Sequence, residues 1–181
     1  MSISVFLSYP QPYLTRQKEF IDEIINQLKN RGFSTRTLGV TDYDTQAPLV
    51  AIRRLMLESN GLLTIAFRRA YIKEGLGKPS TNINGMSEYN ISDKWLTSPY
   101  CQIEPAMAFQ VGLPILVFRE KGVIDDGILE KGVVGTYMPE FDLDIPIEEY
   151  FESPEWNQLL GKWEGYVRSV YEKKGLPLQL Y

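Results

Sequence analysis

An α/β fold, a parallel sheet with helices on both faces, is what this sequence predicts, and three observations predict it. Short apolar runs alternate with segments whose apolar residues recur at helical spacing, the pattern of repeated βαβ units. The runs are nearly continuous rather than alternating, as in strands buried on both faces. A chain of 181 residues, 44% apolar and 23% charged, suits one domain with a sizeable core.

The elements follow in order. Residues 3–8 are the first apolar run, and the prolines of Tyr9-Pro10-Gln11-Pro12-Tyr13 turn it into a loop. Thr15 is placed to cap a helix in which Phe20, Ile21, Ile24, Ile25 and Leu28 share a face, with Gly32 as its left-handed stop. Residues 33–38 make a second strand, ending at Gly39, and 39–47 a polar loop holding Asp42, Tyr43 and Asp44. Pro48 suits the first position of a helix carrying Leu49, Ile52, Leu55 and Met56, which Ser59-Asn60-Gly61 ends. Residues 62–67 are a third strand.

From 68 to 97 glycines, Pro79 and several Ser, Thr and Asn residues replace the periodicity. Loops this long in compact domains usually serve as lids, binding loops or disordered inserts. Ser98-Pro99 reads as the cap and first turn of a helix running through Ile103, Ala106, Met107 and Val111 to Gly112, and 113–118 is the fourth strand. Residues 133–138 are expected to add a short edge strand before the acidic run 139–152. Ser153-Pro154 caps a last helix whose stripe is Trp156, Leu159, Leu160, Trp163, Val167, Val170 and Tyr171, closed by Gly175-Leu176-Pro177. Trp156, Trp163 and Tyr166 suit a core face, or a partner surface. Together these give a flavodoxin-like layered fold in a single domain, 1–181, with a core of about 3–120, an insertion at 68–97 and an extension over 121–181.

Composition narrows function. A net charge of −4 lacks the basic excess of a nucleic-acid binder, so no nucleic-acid partner is expected. No run approaches the roughly 18 apolar residues of a spanning helix, so a soluble, cytoplasmic protein without a membrane partner is expected. Cys101 is the sole cysteine, which excludes an internal disulfide; without a basic neighbour in sequence it reads as an inert thiol. There is no histidine, which removes imidazole acid–base chemistry and the common nucleophilic triads. Carboxylates, Lys, Tyr, Cys and Arg remain.

Ligands of open parallel sheets gather at the carboxyl ends of the strands, so the candidates lie in 8–13, 39–47, 68–98 and 119–122. Glu104 is the carboxylate best placed beside such a segment. Pro105 lacks an amide hydrogen and disfavours helical geometry in the residue before it. Either the helix begins at Pro105, with Glu104 as its N-cap, or it is kinked there.

Val5-Phe6-Leu7-Ser8-Tyr9, then Arg31-Gly32-Phe33, Asp42-Tyr43-Asp44, Glu58-Ser59, the 62–67 run and Ser98-Pro99-Tyr100-Cys101-Gln102-Ile103-Glu104 resemble, in that order, a Toll/interleukin-1 receptor (TIR) domain of prokaryotic type. That family opens on a hydrophobic-Phe-(Leu/Ile)-Ser-Tyr strand and carries a Ser-x-Trp-Cys-x-x-Glu motif entering a helix. The resemblance covers about 3–120. Tyr100 stands where the motif has Trp, and Pro105 and the 68–97 insertion also depart from the pattern.

What the resemblance implies is an NAD-consuming hydrolase or cyclase of defence signalling, with Glu104 catalytic, NAD as substrate and no metal. Phe6, Ser8 and Tyr9 would face the nicotinamide side, Phe6 also reading as core. Arg68 and Arg69 would pair with pyrophosphate or simply begin a solvated loop. Ser98 and Tyr100 complete the substrate-binding set. Asp42 and Tyr43 lie in the loop through which the family self-associates on activation, and otherwise form a polar turn; a protein effector would be the trigger.

The chemistry stands apart from the family. A cationic pyridinium leaves without a proton donor, so one carboxylate suffices to stabilise the oxocarbenium-like state that develops on the ribose. The 68–97 segment would act as a lid. Two alternatives accompany this reading. Glu104-Pro105-Ala106-Met107-Ala108-Phe109-Gln110-Val111-Gly112-Leu113-Pro114 also resembles the glutamate, helix and Gly-x-Pro of nucleoside 2-deoxyribosyltransferases, although their Asp-Gly-Thr is missing. The other is a non-catalytic TIR-like nucleotide-binding or adaptor module.

Overall fold

A computed structural model describes residues 2–174. Strand β1 (Ile3–Ser8), helix α1 (Thr15–Asn30), β2 (Phe33–Arg36), α2 (Pro48–Glu58) and β3 (Leu62–Ala66) follow the predicted order closely. Four short strands come next: β4 (Ala70–Ile72), β5 (Leu76–Gly77), β6 (Tyr89–Asn90) and β7 (Lys94–Leu96). Helix α3 (Tyr100–Gln110), β8 (Ile115–Glu120), β9 (Glu140–Phe141), α4 (Ile147–Glu152) and α5 (Pro154–Lys173) complete the chain.

The central sheet has the order β2-β1-β3-β8-β9 with every pairing parallel. Counting only its own strands, this is the flavodoxin-like order 2-1-3-4-5. The chain leaves β1 toward β2 on one side and returns to β3 on the other, so the switch point opens at the carboxyl ends of β1 and β3.

The two-residue period of β1 divides the core. Val5 and Leu7 pack with Phe20, Ile24 and Leu28 of α1 and with Trp156, Leu160 and Trp163 of α5. Phe6 points the other way, into Ile52, Leu55 and Met56 of α2 and Ala108 of α3. All five residues of β3 are buried, which fits its place at the centre of the sheet. Among the described residues no helix is long and apolar enough to cross a membrane.

Several sequence expectations need correction. Thr15 is the first residue of α1 and not its cap; Leu14 holds that position without a side-chain bond, while the buried Gln17 reaches back to accept the Tyr13 amide at 3.2 Å. Strand β2 stops at Arg36 because the Thr37 carbonyl turns to accept the amides of Val40, Thr41 and Asp42. Residues 133–138 form no strand. The sheet edge is β9, fixed by Phe141 stacking on Phe20 at 4.3 Å. The acidic run contains α4, whose Tyr150 and Phe151 join the core.

The 68–97 insertion is a folded arm of two nested antiparallel ladders, β4 with β7 and β5 with β6. Its base is anchored by Trp95, which packs on Tyr71 and lies under the Arg68 guanidinium. Helix α3 runs through Pro105, so Glu104 sits inside the helix and caps nothing. Ser153 caps α5 as expected, accepting the Trp156 amide at 3.2 Å. The proposed stop at Gly175-Leu176-Pro177 lies outside the described residues.

Candidate active site

Ser8 ends β1 at the switch point, and α3 starts two residues beyond Ser98, at Tyr100. Between them lies a cleft of about 240 Å³. Phe6, Ser8 and Tyr9 line it from β1 and its loop, Thr37 and Leu38 from the end of β2, Pro48 and Ile52 from α2, and Ser98, Tyr100 and Glu104 from α3 and its approach. Phe6 is only 1% exposed and serves both as cleft wall and as core.

Glu104 is 7% exposed. Burial drives its carboxyl pKa up to about 7, because the charged form loses its hydration. The Ser8 hydroxyl is near enough to favour the charged form in part, yet it meets hydrogen-bond geometry with no group among the described residues. A buried hydroxyl and a buried carboxylate therefore face one cleft, each short of a full complement of partners.

The walls are better tied. The Thr37 hydroxyl donates to the Leu7 carbonyl at 2.8 Å. Burial raises the Tyr9 pKa, against the lowering effect of its bond with Thr37. Ser98 fixes the start of α3: its hydroxyl accepts the Tyr100 amide at 3.3 Å and its carbonyl the Cys101 amide at 2.9 Å. Those bonds use up amides that would otherwise greet an anion. Among the described residues no lysine or arginine lines the cleft.

The other predicted site residues lie elsewhere. Arg68 donates from Nε to the Lys121 carbonyl at 2.6 Å and stands 3.6 Å from Glu120. Arg69 is exposed and held through its backbone to the Leu96 carbonyl. Neither reaches the Glu104 cleft. Asp42 accepts from Arg36 Nε at 3.1 Å, which holds its carboxyl below the usual range, and Tyr43 is 80% exposed. Cys101 is fully buried with Sγ 3.8 Å from the Ile65 carbonyl, and burial pushes its thiol up to about 12. Such a thiol is inert.

Sequence reasoning missed Thr37, Leu38, Pro48 and Ile52 as cleft walls. Their signal was available: each follows or faces the end of β2, the strand next to the switch point. It placed Glu120 in the candidate segment 119–122 without a role and missed Gln17; the two join α1 to the ends of β3 and β8. Gln17 donates to the Arg68 carbonyl at 3.1 Å and to Glu120 at 3.4 Å.

No protein-family model matches the chain, and no curated protein matches it. Among solved structures it is similar to the Clostridium botulinum CMP N-glycosidase BcmB, at 16% identity over 82% of this chain and 94% of that one, with a TM-score of 0.47. It is also similar to the TIR domains of the activated Roq1 resistosome directly recognising the pathogen effector XopQ. There identity is 14% over 96% of this chain and 86% of that one, with a TM-score of 0.43.

Proposed function

We propose that the protein cleaves the N-glycosidic bond between ribose and a cationic base, with NAD as substrate, nicotinamide as leaving group and Glu104 as the catalytic residue. The observation that carries this reading is the charge inventory of the cleft. One buried carboxylate stands among the rings of Phe6, Tyr9 and Tyr100, without any cation. Such a cavity repels anionic groups and favours a cationic ring, which aromatic faces and a carboxylate both attract.

The C1′–N bond breaks, and its electron pair leaves with the pyridinium nitrogen, neutralising the base. Positive charge moves to C1′ and the ring oxygen, where ionised Glu104 opposes it at low dielectric. Water or an intramolecular nucleophile then bonds to C1′ and loses its proton. The Ser8 hydroxyl, lacking a protein partner, is free to bond a ribose hydroxyl. Exposed Val40 and Tyr43 leave the 39–47 loop open to a second copy, so turnover that rises with protein concentration is expected.

The test is nicotinamide release from NAD by concentrated protein and by Glu104→Gln. Release by the parent and none by the variant, with unchanged circular dichroism, is expected; equal release by both would overturn the assignment. A second reading, transfer of a 2-deoxyribosyl group with Glu104 as nucleophile, draws on the small volume of the cleft, which suits a nucleoside. Base exchange on deoxynucleosides without NAD cleavage would select it. Silence in both assays would favour a binding or adaptor module.

A further inference from the structure

The cleft at Glu104 is too small for a dinucleotide. Sites for small molecules occupy roughly 300–1,000 Å³, and this cleft falls below that range at about 240 Å³. A second cavity of about 750 Å³ opens on the other side of the approach to α3. The two share one lining residue, Ser98.

This groove runs between the folded arm, the first turns of α3 and the 123–129 segment. Its chemistry complements that of the cleft. Tyr89 and Trp95 contribute aromatic walls, Lys94 a cation, and Asp125 and Asp126 carboxylates. The Tyr89 ring is held over Gly77, where a Cβ would stand 2.1 Å from it, so the platform depends on glycine at that position. Lys94 and Asp126 are exposed and form no ion pair among the described residues.

Resting on the glycosidase reading, we propose that the groove binds the adenosine diphosphate half of the dinucleotide. The chain crosses Ser98, placing only the nicotinamide riboside in the Glu104 cleft. The base lies against Tyr89 and Trp95, the ribose diol bonds to the carboxylates, and Lys94 pairs with the diphosphate. The arm is then a specificity element that restricts the enzyme to dinucleotides, and it supplies the phosphate contact that the cleft lacks.

The experiment separates the two proposals by using the catalytically silenced Glu104→Gln protein for binding and the parent for turnover. Calorimetry should detect ADP binding that Lys94→Glu weakens about tenfold, and adenosine binding that Asp126→Ala weakens by a similar factor. In the parent background, Lys94→Glu should lower the ratio of kcat/KM for NAD over nicotinamide riboside about tenfold. Both substitutions fall on exposed side chains, so they spare the fold. Failure to bind ADP, or binding indifferent to both substitutions, overturns the groove. ADP binding that responds to them without NAD cleavage supports the groove and sinks the glycosidase reading. NAD and the riboside cleaved equally well, with Lys94→Glu without effect, does the reverse.

Discussion

Two buried carboxylates stand near the carboxyl edge of one sheet, and they differ in what surrounds them. Glu120, 2% exposed, accepts the Arg68 amide at 2.8 Å and the Gln17 side chain, and the Arg68 guanidinium lies 3.6 Å away. Glu104, 7% exposed, has the Ser8 hydroxyl nearby and no cation among the described residues that line its cleft. Burial raises the pKa of both. Only Glu120 has partners to offset that cost, so it ties β8 to β3 and α1, whereas Glu104 is left to a ligand.

The largest effect that tests this contrast is on turnover. Glu104→Gln keeps the size of the side chain but removes the charge opposing C1′, and should reduce NAD cleavage by about 10³-fold or more. Steady-state nicotinamide release measures it. Equal losses from Glu104→Gln and Glu120→Gln would dissolve the distinction.

Stability should move in the same direction at the two sites and by different amounts. Because the pKa of Glu104 is raised in the folded protein, the folded state keeps a proton that the unfolded chain gives up between about 4.5 and about 7. Its contribution is therefore lost as pH rises through that window. Glu104→Gln should be more stable than the parent at pH 8, by about 2–3 kcal/mol, and equal to it near pH 4.5. The Glu120 pKa is raised too, so Glu120→Gln should change in the same direction between the two pH values, but by less, because the Arg68 amide and guanidinium and Gln17 offset part of the burial cost. Urea unfolding at the two pH values reads both differences.

Activity should follow the same titration. Ionised Glu104 is the working form, so kcat/KM should rise about tenfold per pH unit up to about 7 and then level. A bound pyridinium favours the charged form, so the profile of kcat should lie at lower pH than that of kcat/KM. Coincident profiles would mean that the substrate brings no positive charge next to Glu104.

The sequence made the sheet legible because its strands are buried on both faces and its helices keep a clear stripe. It made Glu104 legible through position, since α3 follows the long segment after β3. The arm was opaque: ladders of two or three residues rich in Ser, Asn and Gly carry no periodicity, and their pairing is set by contacts such as Tyr89 over Gly77. The edge strand was misplaced for a related reason. Two residues cannot show alternation, and β9 is located by Phe141 meeting Phe20, a long-range contact. Arg68 and Arg69 had the right position after β3, but only three dimensions reveal that Arg68 is claimed by Glu120 and the Lys121 carbonyl.

The smallest effect concerns Ser8 and divides the contrast most finely. Its hydroxyl is buried without a hydrogen-bond partner among the described residues, so removing it deletes an unsatisfied group and should not lower stability at acid pH, where Glu104 is protonated in the folded and the unfolded chain alike. The same hydroxyl favours ionised Glu104, so Ser8→Ala should raise the Glu104 pKa and move the kcat/KM profile toward alkaline pH. At pH 6 both variant and parent sit on the sloping limb, and the shift adds to any lost bond with the ribose. At pH 9 Glu104 is ionised in both, and only the lost ribose bond remains, about a threefold to tenfold deficit. A Ser8→Ala deficit that is the same at both pH values would show that the hydroxyl serves the substrate alone. A fall in melting temperature at acid pH would show that it has a structural partner after all.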